Sequence, residues 1–191
     1  MQIVLASSSS YRKALLEKIL PDFEIATPNI DESRHHGESF IAQAQRLAYE
    51  KAQALIDSYP NALIIGSDQV ACLGSEQLGK PLNAEGTFKQ LKRCQGQTVN
   101  FHTGLCLFNS ATQQFQSAVE SYQTKFRALS DVQIKNHISK EPAFDCAGGF
   151  KMEGLGIALF EKISGDDPNI LVGLPLIRLI SMLENEGVAV L

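Results

Sequence analysis

The sequence lacks a block of basic residues and any long apolar run. Its 17 Lys and Arg residues are outnumbered by 21 Asp and Glu residues, which gives a net charge of −4. This balance argues against a protein that follows polymeric nucleic acid along its phosphate backbone, but a few basic side chains could still hold a small nucleotide. No apolar segment approaches membrane-spanning length, and the N-terminus has neither a basic region nor a signal-peptide core. We therefore expect a cytoplasmic protein with no membrane partner.

Paired cysteines and several catalytic motifs are also missing. The four cysteines contain no C-x-x-C pair, so we expect reduced thiols instead of a disulfide framework. The sequence has no G-x-S-x-G turn that would expose a serine nucleophile. It also has no G-x-G-x-x-G turn after the first strand, the pattern of a dinucleotide-binding site. The adjacent histidines His35 and His36 lie in a polar loop without an H-E-x-x-H pattern, which makes metal ligation by them unfavoured.

Strand-like and helix-like segments alternate along the sequence and predict one α/β domain over residues 1–191. A hydrophobic fraction of 44% with 20% charged residues is ordinary for a globular protein of this length. After an N-terminal strand and helix, the patterns predict strands at Phe23–Ala26, Leu63–Ile65, Val99–Phe108, Ala118–Ala128 and Ile157–Ile163, and helices at Glu38–Tyr59, Glu85–Cys94, Asp131–Ser139 and Pro175–Glu184. We expect a mixed central sheet with flanking helices, arranged as two lobes beside a cleft.

The N-terminal segment predicts an anion site. Ile3–Ala6 has the pattern of a short buried strand, four serines follow it, and a helical pattern begins at Arg12. Serine hydroxyls and free backbone N–H groups at the start of a helix attract anions, and the guanidinium of Arg12 suits phosphate. Alternatively, one of the serines is only the N-cap of the helix.

Two further segments carry charged residues in positions that suit phosphate chemistry. Asp68 follows the predicted strand Leu63–Ile65, where a carboxylate can hold a metal ion or a water; alternatively, it caps a loop. Lys80 lies between Gly79 and Pro81, which suits contact with a phosphate oxygen but is also common in ordinary surface turns.

Pairs of charged residues elsewhere could supply oxygen ligands. Asp31-Glu32 lies in a predicted loop, and Glu50-Lys51 lies on the long predicted helix. Mg²⁺ and Mn²⁺ prefer oxygen ligands and are usually bound by one or two carboxylates together with substrate phosphates. We therefore expect a divalent cation as cofactor.

Taken together, these segments resemble the Maf family of nucleotide pyrophosphatases. The resemblance rests on LASSSSYR, Asp31-Glu32, Glu50-Lys51-Ala52, IIGSDQV, GKP, CAGGFKMEG and VGLP, in family order from Ala6 to Pro175. Gln69 and the segment 150–154 resemble the branch that acts on 7-methyl-GTP more than the branch for dTTP and UTP. One departure is Tyr11, because that branch usually has Ser-Pro-Trp-Arg where this chain has Ser-Ser-Tyr-Arg.

The resemblance implies a fold, a reaction and a set of residues. The family fold is related to the inosine-triphosphate pyrophosphatases, and its members are often homodimers. The implied reaction cleaves a nucleoside triphosphate between its α and β phosphates, with Asp68 as proton acceptor. The other implied roles are phosphate binding by Ser7, charge neutralisation by Arg12, Lys51 and Lys80, base selection by Tyr11, Gln69 and Glu153, and metal binding by Glu32, Glu50 and Asp68.

Two other functions are compatible with the same residues. One is a dTTP and UTP pyrophosphatase of the same family. The other is a nucleotide-binding regulator of septum formation without catalysis, which would need the anion site but no water-activating carboxylate. The position of Asp68 after an apolar strand favours an enzyme.

Overall fold

The computed structural model describes all 191 residues. Seven strands are formed: β1 Gln2–Ala6, β2 Glu24–Ala26, β3 Ala62–Leu73, β4 Glu76–Leu78, β5 Thr98–Asn109, β6 Gln114–Phe126 and β7 Phe160–Ser164. Five α-helices accompany them: α1 Ser10–Leu16, α2 Phe40–Gln53, α3 Ala84–Cys94, α4 Asp131–Lys140 and α5 Leu176–Asn185. Three short 3₁₀ helices span Ala147–Gly149, Leu155–Leu159 and Pro168–Val172. None of the helices is both long enough and apolar enough to span a bilayer.

The strands form one mixed sheet in the order β2-β1-β3-β5-β6-β7, with β4 paired to β3. β1 is parallel to both β2 and β3, whereas β4 and β7 are antiparallel to their partners β3 and β6. β5 and β6 are neighbours joined by only four residues, which is too short for a parallel crossover, so they are antiparallel. The predicted α/β class with a mixed sheet is confirmed.

The residues group into two compact units, and the first contains Met1–Gln69, His102–Glu120 and Asp167–Leu191. Alternate side chains of its strands point to opposite faces, because the side-chain period of a strand is two residues. Leu5, Leu63 and Leu105 belong to a core cluster with α1 and α5. Their neighbours Val4 and Ile64 belong to a second cluster with α2. Helices therefore cover both faces of these strands, which explains the continuous apolar run at Leu63–Ile65.

The second unit contains Val70–Phe101 and Ser121–Asp166. Its core includes four aromatic rings, and the centroids of Phe126 and Phe150 each lie 4.9 Å from that of Phe160 in edge-to-face contact. The rings of Phe101 and Phe150 are also in edge-to-face contact. Such pairs bury large areas and fix ring orientation, so they anchor the irregular segment around residue 150.

β4 was not predicted from the sequence, and the bounds of two other strands differ markedly from the prediction. β3 does not end near Ile65 but continues to Leu73, because Val70–Cys72 are buried and the end of the strand pairs with β4. β7 begins only at Phe160, since residues 155–159 form a 3₁₀ helix instead of the start of a strand. Asp68 therefore lies within a strand and not in the loop after it.

Candidate active site

A buried lysine joins two carboxylates in the first unit. Lys51 lies near the end of α2, and its Nζ is 2.6 Å from Asp68 Oδ1 and 2.9 Å from Glu32 Oε1. Asp68 comes from the middle of β3, and Glu32 comes from the loop that precedes α2. The side chains of Lys51 and Asp68 are buried, so their attraction is weakly screened by solvent. The structure thus brings three of the predicted site residues together.

The position of Lys51 depends on the close approach of α2 to two glycines. A Cβ atom on Gly66 of β3 would lie 2.0 Å from the Ala48 carbonyl oxygen, and one on Gly104 of β5 would lie 2.0 Å from that of Ala44. Only glycine allows the helix backbone to lie directly on the strands at these points. This contact sets the depth at which Lys51 reaches Asp68.

Replacing Gly66 with Ala is expected to push α2 away from the sheet. The added methyl group meets backbone and not a flexible side chain, so the cost should be at least the 1–3 kcal/mol typical of overpacking, or a Tm lower by roughly 2–12 °C. Thermal unfolding followed by circular dichroism measures it. Gly79→Ala is the matched control because nothing lies within 4 Å of its Cβ position. Equal melting temperatures for the two variants would contradict the close contact.

Arg12 and Ser7 form a second group beside these charges. Ser9 is the N-cap of α1 and accepts a hydrogen bond from the Arg12 backbone N–H, so the capping alternative holds for this serine. Ser7 Oγ accepts from the Ser9 backbone N–H at 3.1 Å and from Arg12 Nη1 at 3.4 Å. Since both contacts use its lone pairs, the Ser7 hydroxyl hydrogen is left to donate to an anion.

The guanidinium of Arg12 is held by a backbone carbonyl far along the chain. Its Nε donates to the Gly173 oxygen at 2.8 Å. Burial lowers the pKa of Arg12, while the carboxylates of Asp68 and Glu32 act in the opposite direction. These two carboxylates therefore lie within electrostatic reach of Arg12 as well as in contact with Lys51.

Side chains of β3 and β5 hold the 3₁₀ helix Pro168–Val172. Ser67 Oγ lies 2.9 Å from the Gly173 oxygen, the same atom that accepts from Arg12. Gln69 Nε2 donates to the Ile170 oxygen at 2.5 Å, and Thr103 Oγ1 donates to it at 3.1 Å. Gln69, which the resemblance places in base selection, therefore uses its amide nitrogen to fix a backbone segment.

Glu50 lies in a different charge network from Asp68 and Glu32. Arg46 Nη1 donates to Glu50 Oε2 at 3.0 Å, and Arg46 Nε donates to Glu38 Oε1 at 2.7 Å. The hydrogen bonds from Arg46 lower the pKa of Glu38 to about 2. Glu50 also lines an open pocket of about 390 Å³ with Asp31. The residues Glu50 and Lys51 thus face different surroundings although they are adjacent in sequence.

The predicted metal ligands do not form one group. No three His, Cys, Asp or Glu side chains of this chain are arranged to hold a metal ion. Glu32 and Asp68 do converge, since both contact the same lysine nitrogen. Two carboxylates fit the way in which Mg²⁺ is commonly bound, namely by one or two carboxylates completed by substrate phosphates and water.

The remaining predicted residues lie at exposed or half-buried positions. Tyr11 is half-buried in the first turn of α1. Lys80 and Glu153 belong to the second unit, where both are exposed in loops. Lys80 follows the short strand β4, and Glu153 lies in a turn closed by a hydrogen bond from Gly154 N–H to the Lys151 oxygen.

Sequence reasoning did not assign Ser67, Thr103 or Gly173 to the site. Ser67 lies in the quoted segment IIGSDQV and Gly173 in VGLP, so the resemblance contained a signal for both. Thr103 carried no signal, because a threonine within a predicted strand is ordinary. Its part is visible only once the strand and the 3₁₀ helix are seen in contact.

Comparison with known proteins shows similarity over nearly the whole chain. A family model described as Maf-like protein matches residues 2–186. A protein of Methylobacillus flagellatus named 7-methyl-GTP pyrophosphatase is 50% identical over 189 residues, which is 99% of this chain and 98% of that protein. A protein of Colwellia psychrerythraea with the same name is 48% identical over 189 residues, covering 99% and 94% of the two chains.

A solved structure shares the fold at much lower identity. The Staphylococcus aureus Ham1 protein matches with a TM-score of 0.57 and 14% identity, covering 97% of this chain and 100% of that one. At this identity the match supports the fold alone. The family model covers both units, and the two relatives match over almost their full lengths. On this basis, the chain belongs to the Maf family.

Proposed function

We propose that the protein hydrolyses 7-methyl-GTP to 7-methyl-GMP and pyrophosphate. The observation that supports the reaction type is the buried Asp68 carboxylate in contact with Lys51 and within electrostatic reach of Arg12. The names of the two relatives, each about half identical to this chain, support the substrate. A buried carboxylate can accept a proton from a water, and the two cations near it attract a polyphosphate.

Asp68 acts as the general base. Its Oδ1 is held by Lys51, which leaves Oδ2 to accept a proton from a water. The water oxygen forms a bond to the α phosphorus. The bond between the α phosphorus and the oxygen that bridges to the β phosphate breaks, and pyrophosphate leaves. Lys51 offsets the negative charge of Asp68 and Glu32, without which two carboxylates would repel the triphosphate.

Ser7, Arg12 and Lys80 bind phosphate oxygens. The Ser7 hydroxyl donates its hydrogen, and the Arg12 nitrogens that are not engaged with Gly173 and Ser7 donate to the departing group. Lys80 adds a positive charge from its exposed loop. Charge that develops on the leaving pyrophosphate is stabilised most by donors that are already fixed in place.

Glu32 and Asp68 would hold a divalent cation together with the substrate phosphates. When bound, Mg²⁺ or Mn²⁺ neutralises phosphate charge and makes the attacking water a stronger acid. Glu50 accepts a hydrogen bond from Arg46 in this structure, so we propose that it adds negative charge near the cation without contacting it. Activity measured in excess chelator tests the requirement.

Base selection depends on Tyr11, Gln69 and Glu153. N7-methylation gives guanine a positive charge, and an aromatic face such as that of Tyr11 attracts a cation by roughly 0.5–2 kcal/mol. Glu153 accepts hydrogen bonds from the N–H and NH₂ groups on the Watson–Crick edge of guanine, where uracil and thymine present carbonyls. Gln69 contacts the base through its amide oxygen, because its amide nitrogen donates a hydrogen bond to the Ile170 oxygen.

Steady-state assays with a panel of triphosphates are expected to rank 7-methyl-GTP well above GTP, with dTTP and UTP poorest. Tyr11→Ala should reduce the preference for methylated over unmethylated guanine, and Glu153→Gln should relax discrimination against UTP. Pyrophosphate release gives kcat/KM for each substrate. If dTTP or UTP is the best substrate, the substrate assignment is wrong. Nucleotide binding without pyrophosphate release would instead support the alternative of a nucleotide-binding regulator without catalysis.

Gly173→Ala is expected to lower kcat roughly 3–10-fold, because the added methyl group requires Arg12 to move by a few tenths of an ångström and small displacements of a catalytic group already slow a reaction. Gly173 has a φ of 105°, and its added Cβ would lie 3.3 Å from Arg12 Nε. Gly187→Ala is the matched control: its φ is 77°, but nothing lies within 4 Å of its Cβ position. Both variants carry backbone strain, so equal kcat values would show that Gly173 does not position Arg12.

A homodimer and a cytoplasmic location remain predictions from the resemblance and the composition. Light scattering of the purified protein tests the first, and cell fractionation tests the second.

A further inference from the structure

The turn that carries Glu153 is held by a carboxylate from the end of α4. Glu141 Oε1 accepts a hydrogen bond from the Leu155 backbone N–H at 3.0 Å. The same oxygen lies so close to Gly154 that a Cβ there would be 1.9 Å from it. Residue 154 must therefore be a glycine for as long as the Glu141 carboxylate occupies this place. The contact lies directly after Glu153 in the chain.

The stability of α4 does not explain Glu141. It is the C-cap of the helix, where the negative end of the helix dipole disfavours a carboxylate. Its second oxygen, Oε2, is enclosed and has no hydrogen-bond partner. A buried oxygen without a partner costs free energy, so the helix alone would be better served by another residue. Against this cost stand the hydrogen bond accepted by Oε1 from Leu155 N–H and the attraction between the carboxylate and His137 of α4.

The turn is tight on its other side as well. The N–H groups of Gly154 and Gly156 both donate to the Lys151 oxygen, at 3.3 and 3.1 Å. A Cβ on Gly156 would lie 2.2 Å from that oxygen. The backbone around Glu153 is therefore fixed by Lys151 within the turn and by Glu141 from outside it. The Cα–Cβ bond of Glu153, which sets the region its carboxylate can reach, therefore has a fixed position and direction.

We propose that Glu141 is a positioning residue for Glu153 and thereby contributes to base selection. Glu141 touches no substrate; it fixes the backbone that aims the Glu153 carboxylate. The inference rests on the proposed function, in which Glu153 distinguishes the guanine edge from that of uracil. Loss of Glu141 therefore acts on the ratio of kcat/KM for 7-methyl-GTP over UTP.

The first experiment compares Glu141→Ala with Glu141→Gln. Alanine removes the acceptor for Leu155 N–H and is expected to lower the ratio roughly tenfold, the scale of one hydrogen bond to a charged group. Glutamine keeps an acceptor oxygen and should hold the ratio within about threefold of the unmutated protein. Glu161→Ala, an exposed carboxylate on β7, is the control and should leave the ratio unchanged. An unchanged ratio in Glu141→Ala would overturn the inference.

A second experiment uses the clash between residues 141 and 154. Gly154→Ala alone should lower the ratio, because its methyl group displaces the Glu141 carboxylate. In the Glu141→Ala background the obstructing atom is gone, so adding Gly154→Ala should change the ratio little further. Additive effects would contradict the contact. In the Glu153→Gln background, Glu141→Ala should also have little further effect, and a full effect there would show that Glu141 does not act through Glu153.

Two readouts separate this inference from the proposed function. The ratio in the unmutated protein tests the substrate assignment, which fails if UTP is preferred. The positioning role is supported even then if the Glu141→Ala and Glu153→Gln variants move the ratio in the same direction by similar amounts. Amide hydrogen exchange adds a test without substrate: Leu155 N–H should lose protection in Glu141→Ala but not in Glu141→Gln, and unchanged protection would overturn the inference.

Discussion

Replacing Asp68 with Asn is expected to lower turnover roughly 10²–10⁴-fold with little change in KM. The amide keeps the shape of the side chain but cannot accept a proton from water, and it removes the charge opposite Lys51. Steady-state release of pyrophosphate from 7-methyl-GTP measures the effect. Asp68 lies within β3 and its Oδ1 contacts a buried lysine, so the asparagine should occupy the same position. The loss of turnover then reports the loss of the base and its charge.

The same change at an exposed carboxylate serves as the control. Asp57→Asn alters the net charge by the same amount at an exposed position in the first unit and should leave kcat unchanged. If Asp68→Asn retains near-normal turnover while it folds normally, Asp68 is not the general base. An equal loss in both variants would point to a general effect of net charge.

Lys51→Met is expected to destabilise the protein and abolish most of its activity. Removing one partner of a buried ion pair leaves an uncompensated charge and typically costs about 3–5 kcal/mol, or a Tm lower by roughly 6–20 °C for a chain of this length. Here two carboxylates, Asp68 and Glu32, lose their shared partner. Thermal unfolding and the pyrophosphate assay measure the two effects separately.

A double variant tests the physical reason for this loss. In Lys51→Met the added change Asp68→Asn removes the unpaired buried charge, so part of the lost stability should return although activity does not. Lys13→Met is the control, because the exposed Lys13–Glu17 pair should contribute about 1 kcal/mol or less. If the double variant is less stable than Lys51→Met alone, charge compensation is not the role of Lys51.

Much of the fold was predictable because local sequence patterns determine it. The continuous apolar runs in β1 and β3 reflect burial of both faces of these strands, and the helical periodicity of α2 and α5 reflects burial of one face of each helix. The length of β3 was not predictable, because Gly66–Gln69 has the composition of a turn. Its extension depends on burial of Val70–Cys72 and on pairing with β4, which are tertiary contacts.

The chemical character of the candidate site was also present in the sequence. Short segments with Ser7, Arg12, Lys51 and Asp68 indicated a phosphate site, and the structure brings these four residues of the first unit together. Their partners were less predictable. Adjacent residues Glu50 and Lys51 were assigned to one site, but successive positions on a helix point in different directions, so Glu50 pairs with Arg46 instead.

The sequence by itself determined the residue types, their order and therefore the family. Motifs record which chemical groups are needed, and a strand or helix pattern records which face is buried. Only the tertiary structure decided which carboxylates share Lys51, which carbonyl holds Arg12, and that Glu141 supports the turn of Glu153. These contacts join residues 14 to 161 positions apart in the chain. They depend on how closely helices, strands and turns approach one another, and glycines such as Gly66 and Gly154 allow that approach.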